Sequence, residues 1–161
     1  MKITVLFVSV LLTSGLLFVN IYNSMVDAVS WGSDIPSSLE FARQYFKSTN
    51  PGHFFRVFSP LNQVLLLVSL ILFWKQGKTI RLLLLFALLI HISTDILTFL
   101  YFYPRNDIMF FNQTIPEIAS LKQAWSEWSN MNHFRSFLVF CTLILSSWSL
   151  YIVSKDNLRP G

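Results

Sequence analysis

The chain has 161 residues, 53% hydrophobic, 16% aromatic and only 12% charged, against roughly 25% charged residues in an average soluble domain. That balance excludes an ordinary soluble enzyme and implies one integral membrane domain over residues 1–161, with no appended soluble catalytic domain. The formal charge of +4 comes from basic residues near the ends of apolar runs, where lipid head groups and insertion rules account for them, so no nucleic-acid partner is expected.

Four segments are long and apolar enough to cross a bilayer, which needs about 20 residues of helix. The first runs from Ile3 to Val26. It follows a Met-Lys start like that of a signal peptide, but it outlasts a signal h-region and is expected to stay as an uncleaved span. Beyond it, Pro36-Ser37-Ser38-Leu39-Glu40 opens a short amphipathic helix to about Phe46, which Asn50-Pro51-Gly52 breaks.

The second span covers 54–74, with Arg56 snorkelling to the interface. The third covers 80–103. A second amphipathic helix starts at Pro116-Glu117, carries Ile118, Leu121, Trp125 and Trp128 at helical spacing, and leads into the fourth span over 134–153. The expected fold is therefore an all-α four-helix membrane bundle with a short amphipathic helix in each long connection.

Loop charge sets the expected orientation. Lys75, Lys78 and Arg81 lie in the short link, and Lys2, Lys155 and Arg159 lie in the tails, with Asp156 the acid among them. The basic residues of the long connections are diluted by Asp27, Asp34, Glu40, Asp107, Glu117 and Glu127. Denser positive charge marks the cytoplasmic side, so both termini are expected there, and the expected compartment is a bacterial inner membrane.

Alternating helix direction then brings the intramembrane polar residues to one depth near the long connections. Asn20, Asn23 and Asp27 form an i, i+3, i+7 stripe on the first span. Asn62 and Gln63 lie near the start of the second. His91 and Asp95 share a face of the third, and Trp128, Asn132, His133 and Arg135 cluster at the start of the fourth.

Each group has a structural reading, as hydrogen-bonded glue between helices, and a functional one, as the wall of a ligand pocket. An aspartate in the apolar phase costs about 2.5–3.5 kcal/mol on insertion scales, so Asp95 should have a partner. His91 one turn away and Arg135 across the bundle are the candidates. A carboxylate beside an imidazole is also the arrangement that tunes a general base. Arg135 can clamp an anionic or carbonyl-bearing ligand, with Trp128 as an apolar wall.

Other chemistries are excluded or weak. Three histidines (His53, His91, His133) without HxxH or HExxH spacing suit neither a di-iron hydroxylase nor a zinc protease, and no metal site is expected. Cys141 is the one cysteine, so no intramolecular disulfide or CxxC pair forms. There is no GxSxG elbow and no phosphate-binding glycine loop. Asn112-Gln113-Thr114 matches a glycosylation sequon, a short and common pattern. The chain has no inverted repeat of the kind that builds transporters.

The run from Trp128 through Asn132-His133 to Arg135, together with Asn50-Pro51 and Phe54-Phe55 before the second span, resembles the anthrone-oxygenase-like family of small four-span membrane proteins. The resemblance implies a four-helix bundle. It also implies cofactor-independent oxidation of an aromatic anthrone by oxygen, with His133 as base and Asn132 and Arg135 stabilising an oxyanion. His91 and Asp95 are added as catalytic candidates from the residues themselves.

The functional expectation is thus a pocket for a small aromatic or amphipathic molecule, with His133, His91 and Asp95 as candidate catalytic groups. Asn20, Asn23, Asp27, Asn62, Gln63, Trp128, Asn132 and Arg135 are the candidate ligand contacts. The alternative is a non-enzymatic accessory or assembly protein whose polar residues fix helix packing, with a second copy or another membrane protein as its partner.

Overall fold

The computed structural model describes residues 2–111 and 117–157. Five helices account for nearly all of them: α1 (Lys2–Gly32), α2 (Ser37–Tyr45), α3 (Pro51–Leu72), α4 (Lys78–Phe111) and α5 (Ile118–Asn157). All but α2 are long and apolar enough to span a membrane. The sequon Asn112-Gln113-Thr114, the helix start at Pro116 and the tail residue Arg159 lie outside the described residues.

The spans pack as a ring in the order α1, α3, α4, α5, with α5 closing back onto α1. The start of α1, the end of α5 and the α3–α4 turn lie at one end of this bundle, here the terminal end. The two long connections lie at the other, the loop end. At the terminal end Gly77 turns the chain with φ of 128°, a backbone conformation that a Cβ disfavours.

Two spans run longer than their apolar stretches predict. α1 continues past Val26 to Gly32 and α4 past Tyr103 to Phe111, while in α5 the expected amphipathic helix runs on into the fourth span as one helix of 40 residues. The extensions of α1 and α4 pass through π-helical turns at Asn23–Asp27, Thr98–Phe102 and Asp107–Phe111. Such turns recur at functional sites, since each inserts a residue that rotates the following face. α3 starts earlier than expected, at Pro51, because Asn50 builds a capping box. Its Oδ1 accepts from the Gly52 N–H at 2.9 Å, and His53 Nδ1 accepts from the Asn50 N–H at 3.4 Å.

Burial separates into two apolar zones at the ends of the bundle and a third cluster, Leu16, Leu17 and Val139, between them. At the terminal end Leu6, Leu66, Leu70, Phe73, Leu84 and Val153 form one cluster. At the loop end Trp31, Leu39, Phe102, Met109, Leu121 and Trp128 form another, which the amphipathic helix α2 covers with Leu39 and Ala42. Ser9, Ser69 and Ser149 are buried at the terminal-end zone, whereas Asn20, Asn62, His91, Asn132 and Arg135 fall between the two end zones. Phe18, Phe86, Phe137 and Trp148 are among the large apolar side chains on the outer surface, as lipid contact requires.

The loop-end zone depends on a close approach of α1 to α5. The Trp125 indole lies directly over Gly32, and its Nε1–H donates to the Ala28 carbonyl at 2.7 Å. A Cβ at position 32 would overlap that rigid ring. Gly32→Ala is therefore expected to break the Trp125 bond and destabilise the protein by about 1–3 kcal/mol, read as a lowered midpoint of thermal unfolding in mild detergent.

Candidate functional site

Between the two apolar zones and open toward the loop end is a cavity of about 750 Å³, within the range of small-molecule sites. All four spans contribute to its wall. α1 supplies Leu16, Asn20, Asn23 and Trp31; α3 supplies Phe55, Arg56, Ser59 and Pro60; α4 supplies His91, Asp95, Phe99 and Phe102; and α5 supplies Trp128, Arg135 and Val139. The π-helical turns of α1 and α4 place Asn23, Thr98, Phe99 and Phe102 along it.

Arg135 dominates the electrostatics. It is 7% exposed, and its guanidinium lies 4.2 Å from the centre of the Phe102 ring, 5.2 Å from Phe55 and 5.9 Å from Trp128. Its single hydrogen bond runs from Nη2 to Asn132 Oδ1. Nε is buried without a partner, and among the described residues Arg135 forms no ion pair. Asp95 borders the same cavity without pairing with it. The expected Asp95–Arg135 pair is therefore absent, and a cation held in aromatic walls faces open space.

Asp95 is held by α3 instead. Ser59 Oγ donates to one carboxylate oxygen at 2.7 Å, and Gln63 Nε2 to the other at 2.6 Å. His91 is buried beside them, with Nε2 at 3.4 Å from both Ser59 Oγ and Asn62 Nδ2. The neighbours decide which bond forms. Thr13 spends its hydroxyl proton on the Ser9 carbonyl, so Thr13 accepts from Asn62 Nδ2 at 2.9 Å, and Ser9 Oγ donates to Asn62 Oδ1 at 3.0 Å.

That fixes the Asn62 amide and turns its second N–H toward His91 Nε2. Ser59's single proton lies on the short bond to Asp95. Neutral His91 then accepts at Nε2 and carries its proton on Nδ1, which is buried without a partner. A protonated His91 would donate from Nε2 to Ser59, which still donates to Asp95. The three groups thus form a line along which a proton can move.

The structure brings Asn20, Asn23, His91, Asp95, Trp128 and Arg135 to one cavity. Asn62, Gln63 and Asn132 stand behind its wall, bonded to residues that border it. Asn132 Nδ2 reaches the Asn20 carbonyl at 3.2 Å and Ser24 Oγ at 2.7 Å, tying α5 to α1. Two candidates are not brought there. Asp27 is half-buried on α1 and does not border the cavity, and His133 is exposed on the outer face of α5. One residue from Asn132 on a helix is about 100° of rotation, so burying Asn132 and Arg135 turns His133 outward.

Ser59, Trp31, Arg43, Lys47 and Arg56 also border the cavity and were not singled out from the sequence. Ser59 was detectable, since it lies one turn before Asn62 on the same face of α3. Arg43 and Lys47 were not, because only the folding of α2 over the loop end brings them in. Among the described residues no three His, Cys, Asp or Glu side chains converge at metal-binding range. Compared with protein-family models, curated proteins and solved structures, the chain matches none.

Replacing Asn62 with leucine strands Ser9 Oγ and removes the donor facing His91. A loss of about 1–3 kcal/mol is expected, whereas Asp27→Asn should change stability by less than about 0.5 kcal/mol; thermal unfolding of both variants in the same detergent compares them.

Proposed function

We propose that this small membrane protein binds an amphipathic or aromatic molecule in the cavity, with an oxyanion or carbonyl oxygen of the ligand on Arg135. The observation that carries this reading is the guanidinium itself, buried, aromatic-walled and without a carboxylate partner. A charged group in a bilayer core costs a few kcal/mol, and desolvated cation–π contacts of about 2 kcal/mol offset only part of that. An anionic or strongly dipolar ligand supplies the missing partner, and Phe55, Phe102 and Trp128 offer flat apolar faces to the rest of it.

The likeness to the anthrone-oxygenase-like family extends this to a reaction. An anthrone methylene oxidised by oxygen becomes a carbonyl with release of water, and the step begins when a base removes a proton to leave an oxyanion. Arg135 is placed to stabilise such an oxyanion. His91 and Asp95 border the cavity and are the bases available to it, in preference to His133.

The accessory-protein reading draws on Asn62 and Asn132, which join helices and stand outside the cavity. It does not account for Arg135, because a purely structural core has no use for an unpaired charge.

Native mass spectrometry in mild detergent tests the proposal. A discrete added mass is expected on the wild type and on His133→Ala, and none on Arg135→Met. Because Arg135→Met removes a buried charge that has no ion-pair partner among the described residues, its ligand-free thermal midpoint should equal or exceed that of the wild type. An apo mass throughout, with Arg135→Met less stable, would establish the structural reading instead.

A further inference from the structure

We infer that the ligand is a membrane-dissolved amphipath with an acidic head, admitted sideways from the bilayer between α3 and the loop-end part of α4. The inference rests on the cavity reading above and adds the ligand's chemical class and its route.

The route follows from where α4 leaves α3. The stretch Lys78–Leu97 packs on both α3 and α5, whereas beyond it residues 103–111 pack on α5 and α2 and no longer on α3. The π-helical turn Thr98–Phe102 marks the change. Pro60 on α3 and Phe99 on α4 both border the cavity and are both exposed, Phe99 at 62%. The cavity therefore reaches the apolar outer surface at this seam. Across the seam the Arg56 guanidinium lies 5.9 Å from the centre of the Tyr103 ring.

The class follows from charge placed at two depths. At the loop end Arg43, Lys47 and Arg56 border the cavity, with Asp107 the carboxylate among them. Arg43 is bound to the Met109 carbonyl and to Glu40, yet its Nη2 is buried without a partner. Lys47 and Arg56 are exposed and form no ion pair among the described residues. Deep in the bundle stands Arg135, and the wall near it carries Leu16, Phe55, Phe102 and Val139.

From Asp95 to Asp107, both at the cavity, α4 rises roughly 18 Å at about 1.5 Å per residue. A small free anion at the mouth would leave the apolar wall empty and Arg135 unpaired. An amphipath spans the cavity with its acidic head on the mouth cations and a polar atom at Arg135. Cations at head-group depth also concentrate acidic lipids.

The test places the protein in phosphatidylcholine nanodiscs in a Trp74→Phe/Trp148→Phe background. These two tryptophans face outward, while Trp31 and Trp128 border the cavity. Fluorescence quenching is titrated with a dibrominated hydroxystearic acid, whose chain hydroxyl supplies the polar atom for Arg135, and with its methyl ester, and inorganic phosphate is added as a competitor. The acid is expected to quench saturably at about tenfold lower concentration than the ester, without displacement by phosphate. Lys47→Gln/Arg56→Gln, which changes only exposed side chains, should raise the half-saturation point about tenfold or more, and Arg135→Met should abolish saturation.

Equal quenching by acid and ester would overturn the acidic head. Displacement by phosphate would overturn a membrane source. An unchanged mouth variant, with Arg135→Met inactive, would overturn the mouth's role while the cavity reading stands. Saturable quenching that survives in Arg135→Met would overturn both.

Discussion

A guanidinium inside a membrane bundle must find compensation. In most membrane proteins that means a carboxylate, a backbone carbonyl or water. Here Arg135 finds one amide oxygen and three aromatic rings, and Asp95, the acid bordering the same cavity, is bonded elsewhere. The loop-end half of the molecule is organised around that arrangement. Asn132 holds Arg135 and ties α5 to α1, the rings that flank the cation belong to α3, α4 and α5, and the π-helical turn of α4 brings Phe102 against it.

Asp95 shows the complementary logic. Two neutral donors from α3 cover its oxygens, so the acid fastens α3 to α4 without consuming a cation. This leaves Asp95 and Arg135 bordering one cavity without being joined in an ion pair. A pair would be inert toward a ligand, because its charges would be spent on one another. Separated groups keep differential affinity for a molecule that carries both a proton to lose and an oxygen to stabilise.

The terminal-end side of the cavity is different in kind. Ser9, Thr13 and Asn62 form a closed set of hydrogen bonds in which each proton has an acceptor. Such a set fixes helix register and orients His91, and it leaves nothing over for a ligand. The contrast between this satisfied network and the unsatisfied Arg135 separates the residues that hold the bundle together from those available to bind.

Composition and apolar run length were enough to establish an all-helical chain with four membrane-spanning helices, because a bilayer admits little else. Alternating direction was enough to predict that polar residues from four spans share one depth, and six of the eleven candidates border the cavity. Facing was beyond it wherever a neighbour one residue away pointed differently. His133 follows Asn132 directly, and only the packing of α5 on α1 decides which of them is buried. Partnership was beyond it too. Asp95 had two plausible partners by sequence, but its carboxylate oxygens take short bonds from Ser59 and Gln63 of α3 instead. Of the mouth cations, Arg43 and Lys47 came from α2 and the residues just after it, a segment whose own sequence showed an amphipathic helix but not the surface it would cover. Sequence sets what each helix can bury, while the path of α4 through its π-helical turns sets which side chains meet.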